Sequence, residues 1–275
     1  MAMLIEVQGS GNSVPFYSDE RIFLGEGLFE TLRVLDNKPC YSQLHWQRLQ
    51  RAALFLQLPF ELSPSVWYEN LTQCIALNQV QDGGIKVILG AGNAPRGLVA
   101  TSKKSRLVFT AFNYLAENTA VKLGSASWLR DSRNPVYQFK SINYLEAIIA
   151  RRQAQINGID DVLFFNTEQC ATDTTTANLF IIKNNQLFTP SLQNGLLPGI
   201  IRQRLLSLCQ ENNIVCFECN LNKTSLSEAD AVFICNALQG IRPVSVIDNT
   251  VFKINHSLIA QLQAILAADQ RNSLC

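Results

Sequence analysis

The alternation of hydrophobic and polar positions predicts a small α+β domain at residues 1–113. MLIEVQG and RIFLGEGLFETLRVLD are strand-like, and the second half of the latter alternates up to a turn at Asp36-Asn37. Helices are predicted at residues 42–56, with Ser42 as N-cap, and at residues 64–78, where proline suits the first turn. The strands IKVILG and RLVFTAFNYL complete this part of the chain.

The rest of the chain predicts a linker at residues 114–120 and a larger C-terminal domain at residues 121–275. Strands are predicted at DVLFFN, at IVCFECN, AVFICN and PVSVID, and in NLFIIKNNQLFTP, which turns at Asn184-Asn185. Helices are predicted at PGIIRQRLLSLC and at SLIAQLQAILAAD. The fold class is therefore α+β, with two domains and no internal repeat.

A further helix follows Lys140. Its apolar residues recur at helical spacing, and they are Leu145, Ile148, Ile149 and Ala150. Arg151 and Arg152 follow them, where cations suit the end of a helix dipole. We predict a core-facing helix with Lys140 at its buried entrance.

Composition excludes some classes of partner. Hydrophobic residues make up 47% of the 275 residues and charged residues 16%, which leaves few polar groups to cover the surface. We therefore expect apolar surface to be buried against another subunit. The net charge of +1 and the lack of a basic run argue against nucleic acid and anionic membranes.

The opening residues and the cysteines indicate a cytoplasmic protein. MAMLIEVQGSGNS lacks the basic and apolar regions of a signal peptide, and no apolar run is long enough to span a membrane. The eight cysteines lack the spacing of a disulfide framework, and Cys216-Phe-Glu-Cys219 lies in a strand-like run. With only two histidines and no H-E-x-x-H motif, we expect no metal site and no Ser-His-Asp chemistry.

Three features are ambiguous when judged by residue type alone. Lys140 is either a solvent-facing lysine or a desolvated amine that acts as a nucleophile. Arg48 lies either on a solvated helix face or against a phosphate. The run from Gly195 to Ile201 is either ordinary helix capping or an anion site at a helix N-terminus.

Taken together, the motifs of the chain resemble those of a known family. In order they are GEGLFETLRV, HWQRLQRA, PRG, RNP, KSINYLEAIIA, ATDTTTANLFIIKNNQLFTP, GLLPGIIR and FICNALQGIRPV. They resemble the fold-type IV, or class IV, pyridoxal-phosphate enzymes, which include branched-chain aminotransferases, D-amino acid aminotransferases and aminodeoxychorismate lyase. The resemblance implies a fold like that of D-amino acid aminotransferase, the cofactor pyridoxal 5'-phosphate and a homodimer.

The resemblance also implies roles for individual residues. Lys140 would bind the cofactor covalently and act as the catalytic base, and Tyr144 would touch its phenolic oxygen. The phosphate would be held by residues of three segments, namely Arg48, then Gly199, Ile200 and Ile201, then Asn236 and Ala237. Asp173 stands where the family has the glutamate that pairs with the pyridine nitrogen, so a shorter side chain must serve there. Family members often have hydroxyl side chains at the positions of Ile201 and Ala237.

Within the family the resemblance is closest to aminodeoxychorismate lyase. Thr31 matches a threonine implicated in proton handling, and Arg96 matches an arginine that binds the substrate carboxylate from the neighbouring subunit. Leu98 departs from the aromatic residue that the lyase often has. The expected reaction converts 4-amino-4-deoxychorismate to 4-aminobenzoate and pyruvate in folate synthesis. The alternatives are a class IV aminotransferase acting on D-amino or branched-chain amino acids, and a descendant without catalytic activity.

Overall fold

The structure is a computed structural model that describes residues 4–7, 21–95, 97–117 and 119–274. These residues form two compact units. The first contains the described residues up to Leu115, together with Lys140–Asn143 and the chain from Gln270 onward, and the second contains the remainder. No helix among the described residues is long and apolar enough to cross a membrane.

The first unit is built on a mixed five-stranded sheet. Its strands are β1 (Leu4–Val7), β2 (Gly27–Leu35), β3 (Lys38–Pro39), β4 (Gly83–Gly90) and β5 (Arg106–Asn113), in the spatial order β1-β5-β4-β2-β3. Helices α1 (Ser42–Phe55) and α2 (Pro64–Leu77) pack against it. In its core the ring of Trp67 lies 5.6 Å from that of Phe109.

The second unit contains a nine-stranded sheet. Its strands are β6 (Val121–Arg130), β7 (Asp161–Asn166), β8 (Ala171–Thr174), β9 (Asn178–Lys183), β10 (Gln186–Pro190), β11 (Cys216–Cys219), β12 (Ala231–Asn236), β13 (Gly240–Ile247) and β14 (Thr250–Val251). Their order is β11-β10-β9-β12-β13-β6-β7-β8, with β14 on β13 and a further pairing between β8 and β9. The helices are α3 (Leu145–Ile156), α4 (Ile200–Glu211), α5 (Lys223–Ser227) and α6 (Ser257–Asn272), of which α6 belongs to this unit up to Asp269.

Two short segments cross the predicted domain spans. Lys140–Asn143 belongs with the first unit because Phe29 N–H donates to the carbonyl of Lys140 and Ile142 N–H donates to that of Gly27. The C-terminal end of the chain joins the same unit, where Tyr41 N–H donates to Ser273 Oγ at 3.3 Å. The predicted span 121–275 treated both segments as part of the C-terminal domain.

Both predicted asparagine turns are present. Asp36 and Asn37 have φ of 49° and 60°, and Asn184 and Asn185 have φ of 51° and 59°. Paired positive φ values match the twist of a two-residue hairpin, and Asn and Asp tolerate them better than other non-glycine residues.

The prediction that α3 faces the core is wrong. Ala150 is its buried residue, and it packs with Val162 and Phe164 of β7. Leu145 and Ile156 are 68% and 85% exposed, and Ile148 and Ile149 are also exposed. The helix rests on β7 through small side chains, so its larger aliphatic residues point outward.

Two smaller predictions also need correction. Ser42 is the first residue of α1, and its N-cap is Tyr41, which has φ of 52° and makes no side-chain cap. Ile22–Leu24, predicted as strand, form a short 3-10 helix that ends at Gly25 with φ of 77°. A Cβ on Gly25 would lie 1.9 Å from Oδ1 of Asn143, so only glycine fits both the conformation and the contact.

Candidate functional site

Lys140 lies on an extended segment paired with β2, and α3 begins only at Leu145. Phe29 N–H donates to its carbonyl at 2.8 Å, so the backbone of Lys140 is fixed by the sheet. Its side chain is half-buried, and Nζ lies 4.2 Å from the centroid of the Phe29 ring. An ammonium over an aromatic face is stabilised by the ring quadrupole. Lys140 is therefore a half-buried lysine with its amine over an aromatic ring, and its role as a nucleophile stays a prediction.

The face of β2 that carries Phe29 also carries Thr31. Side chains alternate along a strand, so positions 29 and 31 share one face and position 30 points to the other. Lys86 of β4 is the cross-strand partner of Thr31, and its Nζ lies 4.9 Å from the Phe29 centroid. Two ammonium groups thus share one aromatic ring beside the predicted proton-handling threonine. Lys86 was not among the predicted site residues.

The opposite face of β2 carries a buried ionic cluster. Glu30 accepts hydrogen bonds from Arg48 Nε at 2.8 Å and Arg48 Nη2 at 2.6 Å. Its Oε2 also lies 2.6 Å from Nδ1 of His45. The three residues are at most 7% exposed. Arg48 is therefore not on a solvated helix face.

The electrostatics of this cluster favour an ionised Glu30 and a neutral His45. Burial alone would raise the pKa of Glu30, but Arg48 and His45 more than reverse this and bring it to about 2. Burial lowers the pKa of His45, against the attraction of Glu30, so its ring is neutral. With Nδ1 donating to the carboxylate, Nε2 of His45 is an acceptor, and it has no partner among the described residues.

In the second unit, Asp173 lies on β8 and is engaged on both oxygens. Oδ1 accepts from Arg130 Nη1 at 2.7 Å, and Oδ2 accepts from Leu197 N–H at 3.1 Å. Burial raises the pKa of Asp173, and Arg130 opposes the rise. Arg130 also pairs with Glu146 at 2.9 Å and lies 3.5 Å from the centroid of the Phe164 ring. Arg130 is a second residue that was not predicted.

Helix α4 begins directly after Gly199, which has extended backbone angles. A Cβ at this position would lie 1.9 Å from Oδ1 of Asn178, whose Nδ2 donates to the carbonyl of Leu197 at 2.9 Å. The side chains of Ile200 and Ile201 are buried, so the first turn can offer an anion only its backbone N–H groups. A helix N-terminus of this kind suits a phosphate.

The remaining predicted residues have simple positions. Asn236 ends β12, and its Oδ1 accepts from Leu238 and Gln239 N–H, so it shapes the turn that contains Ala237. Tyr144 is the N-cap of α3 and is half-buried. Arg96 lies outside the described residues. The cofactor and substrate contacts of these residues stay predictions.

The described residues suit pyridoxal 5'-phosphate in each unit separately. The first unit supplies the amine of Lys140 over the Phe29 ring and the buried guanidinium of Arg48. It also supplies Nε2 of His45, a buried acceptor with no hydrogen-bond partner among the described residues. The second joins Asp173 to the Gly199 turn through Leu197, which bonds Asp173 by its N–H and Asn178 by its carbonyl. Amine, guanidinium, helix N-terminus and carboxylate are the groups that this cofactor requires.

Sequence patterns could have revealed part of what was missed. Glu30 occupies an apolar-facing position of an alternating strand, between Leu28 and Leu32, so its burial was predictable. His45 and Arg48 are three residues apart on one helix and therefore share a face. No local pattern marks Arg130, whose partner Asp173 is 43 residues away.

Comparisons with known proteins agree with the motifs. Residues 27–247 match the family model described as amino-transferase class IV. A crystal structure from Legionella pneumophila subsp. pneumophila str. Philadelphia 1, named provisionally as a 4-amino-4-deoxychorismate lyase, is 49% identical. It covers 97% of this chain and 100% of its own, with a TM-score of 0.94.

Two curated relatives differ in activity. The aminodeoxychorismate lyase of Vibrio harveyi is 28% identical over 248 residues, which are 86% of this chain and 89% of that protein. The D-alanine aminotransferase of Bacillus licheniformis is 26% identical over 232 residues, 82% of this chain and 80% of that protein. The identities to a lyase and to an aminotransferase are therefore nearly equal among these relatives.

Proposed function

The chain belongs to the class IV aminotransferase family, and from that premise we propose that it is a pyridoxal-phosphate enzyme that converts 4-amino-4-deoxychorismate to 4-aminobenzoate and pyruvate. The observation that carries the choice of reaction is the 49% identity, over nearly the whole of both chains, to the provisional lyase from Legionella. Thr31, on the face of β2 that also carries the Phe29 ring under Lys140, supports the same choice. On this proposal the reaction serves folate synthesis.

The cofactor would be held by the residues that the family resemblance assigns to it. Lys140 would bind it covalently, and Arg48 would contact the phosphate together with the N–H groups of Ile200 and Ile201. Asp173 would pair with the pyridine nitrogen, where Arg130 helps to keep its carboxylate ionised. When bound, the cofactor supplies an electron sink for the carbon that bears the substrate amine.

The residues of this chain would manage the protons. Once the substrate amine has replaced Lys140 at the cofactor, Lys140 Nζ is a neutral amine that can take the proton from the ring carbon that bears the amino group. The enolpyruvyl C–O bond breaks as the ring becomes aromatic. Oγ1 of Thr31 or Nζ of Lys140 then delivers a proton to the departing three-carbon fragment, which becomes pyruvate. The atoms balance without water and without a 2-oxo acid.

Lys86 gives the site a second cation. Its Nζ and that of Lys140 both lie near the Phe29 ring, at 4.9 Å and 4.2 Å from the centroid. The substrate carries carboxylates that a cation can bind, and we assign Lys86 and Arg96 to them.

We propose a homodimer. The exposed aliphatic face of α3, formed by Leu145, Ile148, Ile149 and Ile156, is the surface we assign to the second subunit. An apolar helix face left in water costs roughly 25 cal/mol for each Å² that burial would remove.

The decisive experiment incubates the purified protein, loaded with pyridoxal 5'-phosphate, with 4-amino-4-deoxychorismate and no 2-oxo acid. We expect 4-aminobenzoate and pyruvate in equal amounts over many turnovers. Lys140→Ala serves as the inactive control, and Lys253→Ala, an exposed lysine elsewhere, should retain full rate.

The same preparation tests the alternative. If neither product forms, D-alanine and leucine are supplied with a 2-oxo acid, because a D-alanine aminotransferase is among the relatives. Amino transfer under these conditions, with no lyase products, would replace the proposed function with an aminotransferase.

A further inference from the structure

Glu30 forms a bidentate ion pair with Arg48 along one edge of its guanidinium group. The two carboxylate oxygens accept from Nε and Nη2, at 2.8 Å and 2.6 Å, which is the side-on fork of a planar pair. This fork sets the plane of the guanidinium and the direction of its third nitrogen, Nη1. A free arginine side chain has many rotamers, and holding it in one of them has an entropic cost.

The carboxylate of Glu30 is fixed both by its strand and by a second hydrogen bond. Glu30 lies within β2, where its backbone is paired with Val87 of β4. Its Oε2 is shared between Arg48 Nη2 and His45 Nδ1, and all three side chains are buried. His45 and Arg48 both come from α1. The carboxylate therefore joins a rigid strand to the helix that carries the arginine.

A buried ion pair needs a reason beyond stability. Removing two charges from water costs more than their attraction commonly returns, and well-packed apolar residues at such positions are often as stable or more so. The Glu30–Arg48 pair is explained if the function of the protein requires the Arg48 guanidinium in one orientation. Position 30 is also flanked by Phe29 and Thr31, whose side chains are on the face of β2 toward Lys140 and Lys86. Residues 29–31 therefore contact Arg48 on one face of the strand and lie beside the two lysines on the other.

We propose that Glu30 is a positioning residue that orders Arg48 for the phosphate group of the cofactor. The inference rests on the proposed cofactor and goes beyond the residues that touch it. Glu30 acts through Arg48, and it contributes to the recognition of the phosphate rather than of the pyridine ring. His45 supports this role by holding the second lone pair of Oε2.

The test compares two ligands that differ only in the phosphate. Apoprotein is titrated with pyridoxal 5'-phosphate and with pyridoxal, and the dissociation constant of each is taken from the quenching of tryptophan fluorescence. In Glu30→Gln we expect the constant for the phosphorylated ligand to rise by on the order of tenfold, with little change for pyridoxal. A general loss of structure would weaken both ligands alike, and that result would overturn the proposal.

A matched control and a double variant sharpen the result. Glu117→Gln removes the same kind of charge from an exposed carboxylate that pairs with Arg242, and it should leave both constants unchanged. Arg48→Lys should itself lose the preference for the phosphorylated ligand, because lysine cannot form the fork. Adding Glu30→Gln to Arg48→Lys should then have no further effect, whereas an additive loss would show that Glu30 does not act through Arg48.

The outcomes separate this inference from the proposed function. A wild-type protein that does not prefer the phosphorylated ligand would contradict the cofactor assignment. A wild-type protein that does prefer it, with Glu30→Gln unchanged, would contradict only the role of Glu30. Should Glu30→Gln fail to fold, Glu30→Asp keeps the charge but shortens the reach, and the same partial loss of preference is expected from it.

Discussion

At the scale of single residues, the candidate chemistry depends on ionised groups whose partners are buried with them. Glu30 is ionised because Arg48 and His45 face it, and Asp173 is buried against Arg130. The energetics differ between the two carboxyls. The pKa of Glu30 is lowered to about 2, whereas burial raises that of Asp173. Arg48 and His45 outweigh the cost of burying Glu30, whereas Arg130 offsets only part of that cost at Asp173.

The shift at Glu30 predicts an acid-sensitive fold. The pKa falls from 4.5 to about 2 on folding, so at neutral pH the native state is about 3 kcal/mol more stable with Glu30 ionised than with Glu30 protonated. A lowered pKa contributes stability above pH 4.5, and that stability is lost as the pH falls through about 2. Urea unfolding at several pH values between 7 and about 2 should show this loss in wild type and a much smaller one in Glu30→Gln.

The control for this measurement is again Glu117→Gln. Its parent carboxylate is largely exposed, so its pH profile should follow that of the wild type. An unchanged slope in Glu30→Gln would mean that other carboxyls account for the acid sensitivity.

At the scale of elements, the start of α4 depends on a close approach that only glycine permits. Gly199 has φ of −69°, which any residue can adopt, so its requirement is steric rather than conformational. The obstacle is the side chain of Asn178, which would lie 1.9 Å from a Cβ. Asn178 is in turn held by the carbonyl of Leu197, which leads into the helix. Strand β9 therefore sets where the N–H groups of α4 are presented.

Gly199→Ala should therefore displace the first turn of α4. We expect a loss of stability of about 1 to 3 kcal/mol from overpacking, together with weaker binding of pyridoxal 5'-phosphate. Thermal unfolding of the apoprotein measures the first effect, and ligand titration measures the second. If the clash is the cause, Asn178→Ala in the same chain should recover part of the stability, and a further loss in the double variant would argue against it.

At the scale of the whole molecule, the charge content and α3 indicate the same need for a partner. Only 16% of residues are charged, and a helix that the sequence placed in the core presents its aliphatic face outward. Both observations are explained if a second subunit covers that face. The low net charge of +1 would oppose such association only weakly.

The dimer is testable by mass in solution. Light scattering on a sizing column should give twice the 30.7 kDa of the chain. Leu145→Glu with Ile149→Glu should lower the mass toward that of one chain, because charges are costly in an apolar interface. Val251→Glu, at another exposed apolar residue, should keep the dimer. A monomeric wild type, or a double variant that stays dimeric, would remove α3 from the interface.

The sequence alone determined much of the local structure. The two asparagine turns and the helix limits near residues 42–55 and 64–77 follow from local backbone preferences, which act over a few residues. The ordered motifs also determined the family, which the match over residues 27–247 confirms. The alternation of β2 also contains the information that Glu30 faces the core, although Glu30 was not among the predicted site residues.

Only the tertiary structure decided which groups meet. Arg48 pairs with Glu30, 18 residues away in sequence, and Arg130 pairs with Asp173, 43 residues away. No local sequence pattern predicts such pairings. The structure also decided the direction of α3, because a helical repeat shows that one face is apolar but not what covers it. Small residues of α3 happen to fit β7, so the aliphatic face turns outward. Periodicity determines a face, and long-range packing determines its partner.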